Sequence, residues 1–416
     1  MSKLVIEGGR PLRGRVQVSG SKNAALPIIA ASLLVPHTTL SNVPHIKDVE
    51  RMLEIIEYLG GSYQWKDRNQ LVINSEHVTS LPLPDIAREL RASILFAGPL
   101  LARFGEAHLP YPGGDLIGAR PIDSHVTAFR DLGVNVEEDE SLHLRRDGVC
   151  GGRIVLEESS VTATENLLML ASLCPEPTEI RLAAAEPHVQ DLCAFLKKSG
   201  VAIEGTSSTT LRIKGVNELT SVEHEIIPDE LEISAFAALG AATHGDIQIA
   251  PIAEKYLDAV LLQLKRIGVN VSTENAAVVI RPPNGPYVAY RLQSGLYPKL
   301  LTDHLPPLAV LATQAEGATL VHDWMYEARQ SYLRELMKMG ANIMIMDPHR
   351  ALVMGSTPLY GKEVVSYDIR SGMAMIIAAL VAQGKTTISN VEHIDRGYEN
   401  IEERLLALGA RIERVD

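Results

Sequence analysis

The chain is 416 residues long, 46% hydrophobic and 22% charged, with a formal net charge of -12. That length exceeds what one hydrophobic core usually supports, so two domains are expected. The acidic balance excludes a general nucleic-acid binder, which needs a basic surface, and an aromatic content of 5% excludes base-stacking platforms.

Anionic small molecules are not excluded, because a cleft on an acidic protein can be locally basic. The N-terminal MSKLVIEGGRPLRG lacks the apolar core of a signal peptide. The longest apolar runs, such as Leu26 to Pro36, are about half the length of a membrane span. A cytoplasmic protein with no membrane partner is expected. Cys150, Cys174 and Cys193 show no CxxC spacing and read as reduced thiols. The 13 histidines form no HExxH set, so no metal is expected. The glycine-rich PGGD has neither Walker nor dinucleotide spacing, so no nucleotide cofactor is expected either.

In chain order, the first 21 residues read as strand, followed by AALPIIAASLL, which is apolar nearly all round. A helix without a polar face must be buried on every side. A strand, HTTLSNV, follows, and then VERMLEIIEYLG carries apolar residues at three- and four-residue spacing. That is an amphipathic helix, ended by Gly60. The same parts recur with ASILFAGPLLA, GEAHLP and Gly133, and with TENLLMLASL, PTEIRLA and VQDLCAFLKKSG at Gly200. They recur again with ISAFAALGAA, HGDIQIA and YLDAVLLQLKRIG at Gly268, and with LPPLAVLAT, GATLVHD and Gly340. The last set is GMAMIIAALVA, GKTTISNV and IEERLLALGA at Gly409. Successive glycines stand 67 to 73 residues apart, each where a helix end needs the left-handed conformation. One unit is strand, buried helix, strand, outer helix, strand, strand. Six units predict two domains of three.

This repeat, with buried helices inside and sheets outside, resembles the enolpyruvyl transferase family. The resemblance covers essentially the whole chain. It is carried by SGSKNAALPI from Ser19, RASILFAGPLLARFG from Arg91, PGGDLIGARPID from Pro112, PDELE from Pro228, TDHLPP from Thr302, YDIR from Tyr367 and HIDRGYENIEERLLALGARIERV from His393. It implies an inside-out α/β barrel with two similar domains of three βαβαββ-type repeats. One domain would comprise residues 1–21 plus 228–416, the other residues 22–227 with the PGGD loop. The activity implied is transfer of the enolpyruvyl group of phosphoenolpyruvate to the 3-hydroxyl of UDP-N-acetylglucosamine, in peptidoglycan precursor synthesis. Phosphate would leave through a tetrahedral phospho-ketal. The ARPID and DRGYE phrases point to the nucleotide sugar rather than to shikimate phosphate.

Phosphoenolpyruvate carries a carboxylate and a phosphate, so its binder needs convergent cations, best supplied by guanidinium forks. Lys22, Arg91, Arg120, Arg329, Arg370 and Arg396 lie in linkers or at helix starts of the repeat. The resemblance implies that Lys22 meets phosphate and Asn23 the sugar. It makes Arg91 the arginine that neutralises the transition-state charge near a mobile loop, and puts Arg120 on phosphate, Pro121, Ile122 and Asp123 on uracil, and His125 near the diphosphate. Ser160, Val161 and Thr162 would hold the diphosphate. Arg329, Arg370 and Arg396 would clamp phosphoenolpyruvate, and Asp303 would be the base on the acceptor hydroxyl. Lys22 and Arg396 would also stabilise the leaving phosphate.

Asp115 occupies the loop position where the family most often has cysteine; the resemblance makes it the general acid at C3 and implies resistance to fosfomycin. Other departures fall at Thr162, Glu230, Ser234, Leu301, His304, Pro306 and Pro307. None removes a proton-transfer group. They leave open a paralogue acting on another uridine nucleotide, or a non-catalytic nucleotide-sugar-binding paralogue.

Overall fold

A computed structural model describes residues 2–115, 117–148 and 151–415. The chain divides into two compact units. The first comprises Met1–Ser19, Asp115–Ala119 and Pro228–Asp416; the second comprises Gly20–Gly114 and Arg120–Ile227. The PGGD phrase is thus split, its glycines in the second unit and Asp115 in the first.

The strands form six sheets among the described residues, three in each unit. Within a repeat the strand after each buried helix pairs antiparallel with a hairpin strand, as Gly317–His322 does with Arg350–Gly355. In every sheet but that of Glu106–Pro110 it also pairs parallel with a strand ahead of a buried helix. Gly152–Val155 lies parallel to Thr178–Arg181, and Glu363–Val365 to Lys385–Ser389, each across its own helix. Two strands are exchanged. Arg13–Gln17 pairs with Asp246–Ala250 in the first unit, and Val222–Glu225 pairs with His37–Ser41 in the second. The N-terminal strand Lys3–Glu7 completes another sheet of the first unit, between Lys385–Ser389 and Arg411–Val415.

Each unit has its own apolar core. The helices predicted to lack a polar face are buried; in Glu230–Ala242 all 13 residues are. Their small residues let sheets approach closely. A Cβ on Gly240 would stand 2.5 Å from Ile247 Cδ1. The amphipathic helices keep one wet face, with Glu57, Lys197, Lys265 and Arg266 exposed. Gly60, Gly133, Gly200, Gly268, Gly340 and Gly409 all take positive φ, between 78° and 113°, the left-handed geometry that ends each helix.

One buried helix is shorter than the apolar pattern predicts. ASILFAGPLLA begins as a 3₁₀ turn, Arg91–Phe96, before the α-helix Ala97–Phe104. Proline explains the short helix, because Pro99 lacks an N–H and its ring clashes with the carbonyl four residues back. LPPLAVLAT forms the α-helix Leu305–Ala312, starting at the leucine where the apolar run starts, behind the 3₁₀ turn Thr302–His304. The expectation of reduced thiols fails at Cys174, which is disulfide-bonded; absence of CxxC spacing says nothing about cysteines that folding brings together. Cys193 is free and buried, and Cys150 lies outside the described residues.

Candidate functional site

In the first unit the buried helices present their first turns to one cluster of charges. Asp303 sits in the turn ahead of Leu305–Ala312, and Arg370 is the second residue of Ile369–Val381. Arg329 lies between strand Gly317–His322 and helix Ser331–Lys338. Arg329 Nη1 donates to Asp303 Oδ1 at 2.7 Å, and Arg370 Nε donates to Asp303 Oδ2 at 3.1 Å. Both arginine side chains are 4% exposed, against 25% for Asp303. One carboxylate therefore fills a fork of two buried guanidiniums. Burial alone would favour its neutral form, but the charges of Arg329 and Arg370 win and hold it well below the usual carboxylate range.

The fork is braced from behind. Arg370 Nη1 donates to the Tyr398 hydroxyl at 3.2 Å. Asp368 caps its helix through the amides of Arg370 and Ser371 and lies 4.0 Å from Arg329. Thr302 accepts from Arg329 at 3.3 Å and donates to Asp323 at 2.6 Å. His304 pairs through Nδ1 with Ser234 Oγ at 2.7 Å, and burial pushes its pKa down to about 3, so it is neutral.

Glu230 opens the third buried helix of this unit, after the cap Asp229. Its side chain is 2% exposed, and among the described residues neither carboxyl oxygen has a hydrogen-bond partner. Burial, then the charge of Asp229, push its pKa up to about 8 against the opposing pull of its own backbone amide and of Arg370. A helix N-terminus favours an anion by at most about 2 kcal/mol, whereas full burial can shift a carboxyl by about 3–5 pKa units. Burial wins.

Asp115 also belongs to this unit. It forms an ion pair with Arg396, and His393 Nδ1 lies 3.7 Å away. The Asp115 carboxylate raises the pKa of His393. The short segment that carries Asp115 is tied down by Glu327 Oε1, which accepts the Ala119 N–H at 2.9 Å, and by the Ala328 N–H on the Ile117 carbonyl at 3.3 Å.

In the second unit Lys22 is the first residue of helix Lys22–Ala31, capped by Ser21, and Asn23 the second. Lys22 Nζ lies 2.9 Å from Asp48 Oδ2, so its charge is balanced within the unit. Pro27 has no N–H to give the carbonyl of Asn23, which leaves a polar edge at the helix start. Arg91 Nη2 donates to the Pro121 carbonyl at 2.9 Å. A Cβ on Gly114 would stand 3.0 Å from Arg91 Cβ and 3.5 Å from Arg120 Nη1, so the glycine lets the loop run between two arginines. Arg120 itself takes φ +46°, which a non-glycine residue adopts only where its surroundings hold it. Ile122 and Asp123 start helix Asp123–Asp131.

His125 is buried, with Nε2 2.9 Å from Thr162 Oγ1 and Nδ1 3.2 Å from Asn166 Nδ2. Burial, then Arg91, push its pKa down to about 3. Both nitrogens are used inside the protein, so it supports the Ser160–Thr162 turn as a neutral ring. Ser160 caps Val161–Ala171 by accepting from the Ala163 amide.

The fold thus gathers Asp303, Arg329 and Arg370 in one cluster and pairs Arg396 with Asp115, while Arg91, Arg120, Pro121, His125 and Thr162 share the second unit. Four further residues were not singled out from the sequence: Asp48, Asn166, His393 and Tyr398. Only His393 had a signal, its place one helical turn before Arg396 in HIDRG. No group of three or more His, Cys, Asp or Glu residues suited to a metal occurs among the described residues, and no described helix is long and apolar enough to cross a membrane.

Comparison with known proteins bears on this geometry. A family profile described as EPSP synthase (3-phosphoshikimate 1-carboxyvinyltransferase) matches residues 6–405. The chain is similar to the UDP-N-acetylglucosamine 1-carboxyvinyltransferase of Treponema denticola, 43% identical over 99% of both chains. It is similar to the enzyme of the same name from Bradyrhizobium diazoefficiens, 42% identical over 99% of this chain and 97% of that one. Among solved structures, the enolpyruvyl transferase NikO from Streptomyces tendae superposes with a TM-score of 0.91 at 24% identity, covering 100% of this chain and 99% of that one. An EPSP synthase from Acinetobacter baumannii superposes at 0.78 with 16% identity, over the full length of both. These two likenesses establish the inside-out α/β fold.

Proposed function

This chain belongs to the enolpyruvyl (carboxyvinyl) transferase family, and from that premise we propose that it transfers the enolpyruvyl group of phosphoenolpyruvate to the 3-hydroxyl of UDP-N-acetylglucosamine, releasing phosphate, as a step toward peptidoglycan precursor. The acceptor follows the relatives that match over the full length at 43% and 42% identity. The observation that carries the donor is the pair of buried guanidiniums, Arg329 and Arg370, closed on one carboxylate. A site that holds Asp303 in this way has the charge and fork geometry for the carboxylate of phosphoenolpyruvate.

The chemistry follows from the residues. The acceptor hydroxyl gives its proton to Asp303 while its oxygen bonds to C2 of phosphoenolpyruvate. The C2–C3 π pair takes a proton from the acid form of Asp115, which gives a tetrahedral phospho-ketal. Asp115 then recovers a proton from C3 as the C2–O bond to phosphate breaks. Lys22 and Arg396 balance the charge of the departing phosphate. Arg120, Pro121, Ile122, Asp123 and Ser160–Thr162 hold the nucleotide, and Arg91 neutralises charge that develops in the transition state.

Two pairings must open for this to happen. Clamped between guanidiniums, Asp303 has little proton affinity; the donor carboxylate, by taking its place in the fork, restores it. An ion pair with Arg396 favours the carboxylate form of Asp115, so arrival of phosphate at Arg396 is what lets Asp115 hold a proton. Phosphate release from phosphoenolpyruvate, measured with and without UDP-N-acetylglucosamine, tests the reading. Release that ignores this acceptor but follows another uridine nucleotide sinks it.

A further inference from the structure

Six buried helices run through the two units, and five of them start in or directly behind residues already placed in the candidate site. Those residues are Lys22 with Asn23, Arg91, Ser160–Thr162, Asp303 and Arg370. The sixth helix, Glu230–Ala242, starts on Glu230. By position in the repeat, Glu230 stands where each sister helix offers a group to a ligand.

Its surroundings lead to the same conclusion by an independent route. A buried polar atom is nearly always hydrogen-bonded, and a buried carboxyl left without a partner is costly. Both Glu230 oxygens are buried and have no partner among the described residues, although Asp229, Asp303 and Arg370 are close enough to act on it electrostatically. Asp368, the cap of a neighbouring buried helix, spends Oδ1 on two amides, and Asp303 spends both oxygens on arginines. Glu230 has the pull of its own backbone amide and no partner from any other residue described. The unit supplies the carboxyl and withholds its partner.

We propose that the Glu230 carboxyl is a specificity-determining residue that hydrogen-bonds a hydroxyl of the acceptor sugar next to the one that meets Asp303. This rests on the enolpyruvyl-transfer reading and names a contact within it. The 3-hydroxyl of an N-acetylglucosamine ring is flanked by an acetamido group at C2 and a hydroxyl at C4. A carboxyl in its acid form offers one donor and one acceptor, and a hydroxyl offers the same pair in return. Burial keeps Glu230 in that form near neutral pH. A site built to bond a hydroxyl rejects an analogue lacking it far more strongly than an apolar wall rejects a bulkier one.

The test uses the full chain, phosphate release, and two acceptors: UDP-N-acetylglucosamine and its 4-deoxy analogue. The native chain should prefer the hydroxylated acceptor by at least about tenfold in kcat/KM. Glu230→Leu should raise the acceptor KM by a similar factor at unchanged KM for phosphoenolpyruvate, and should no longer tell the two acceptors apart. Glu230→Gln, which keeps a donor and an acceptor, should restore KM to within about threefold of native and recover the discrimination. A folded Leu variant with native acceptor KM overturns the proposal, and so does an equal rise in both KM values, which marks a structural role. If the Leu variant fails to fold, equal use of both acceptors by the native chain overturns it. A native chain inactive with UDP-N-acetylglucosamine but active with another acceptor instead refutes the functional reading, and this contact falls with it.

Discussion

Arg329 Nη1 and Asp303 Oδ1 stand 2.7 Å apart, and Asp303 is the only one of the two with any useful exposure to solvent. The side chain that must act as base in the proposed reaction is thus lodged in the fork that the donor needs. Binding and turnover should respond to its loss in opposite directions.

Asp303→Asn keeps the shape of the side chain and removes the competing charge. Phosphoenolpyruvate should then bind more tightly, by roughly tenfold, since a hydrogen bond to a charged group contributes about 1.5–3 kcal/mol. Turnover should drop by at least about 10²-fold, the scale of deleting a general base. Calorimetry in the presence of the UDP-sugar reads the first effect and phosphate release the second. Weaker donor binding by the variant would show that Asp303 does not compete for the fork.

Loss of the Arg120 guanidinium should weaken binding of the UDP-sugar without disturbing the fold. Arg120 and alanine share the constraint imposed by φ +46°, so Arg120→Ala leaves the backbone strain as it was. A lost charge-assisted bond of about 1.5–3 kcal/mol is roughly 10- to 100-fold in affinity. Unchanged affinity in a titration with UDP-N-acetylglucosamine removes the residue from the site.

The raised pKa of Glu230 makes stability depend on pH in a direction unusual for a carboxyl. In the unfolded chain it loses its proton near pH 4.3–4.5 or so, whereas in the folded chain it keeps it to about 8. Between those values the folded state binds the extra proton, so stability falls as pH rises, at up to about 1.4 kcal/mol per unit. Below that window the contribution is complete. Glu230→Gln should therefore match or trail native stability at pH 5 and exceed it by a few kcal/mol, in order of magnitude, at pH 8.5. Melts of both proteins across this range decide it; parallel curves would mean that Glu230 is ionised when folded.

The repeat was readable because its causes are local. Glycine at a helix end and an apolar run without a polar face each leave a mark within a dozen residues, and Gly60 through Gly409 all took the conformation their positions demanded. The first turn of one buried helix, ASILFAGPLLA, came out as a 3₁₀ turn because the apolar pattern does not register Pro99. The candidate site was legible as a set of residue types but not as a set of partners. Nothing local to TDHLPP says that Asp303 will be held by Arg329 and Arg370, 26 and 67 residues away. Nor does PDELE say that Glu230 will be buried without a partner. Those facts arise from helices that meet only in the folded unit.

The resemblance puts Asp115 where a thiol is usual, and a carboxyl there would separate two properties that a cysteine would combine. Proton transfer needs a group that can hold and release a proton at working pH, which a carboxyl or a thiol can do. Alkylation by the epoxide of fosfomycin needs a strong carbon nucleophile, which the carboxylate is not. The native chain should therefore withstand prolonged exposure to fosfomycin, whereas Asp115→Cys should retain turnover and lose it irreversibly on exposure, with the adduct visible by mass spectrometry. The ion pair with Arg396 adds a condition. Because Asp115 must leave that pair to take up a proton, Arg396→Gln should ease protonation of Asp115 while weakening the hold on phosphate, so kcat and KM should not move together. Asp115→Ala should lose at least about 10²-fold in turnover, the scale of a deleted general acid. If the alanine variant turns over at the native rate, Asp115 is a loop residue paired to Arg396 and nothing more, and the proton at C3 must come from another group, Lys22 being the first to test.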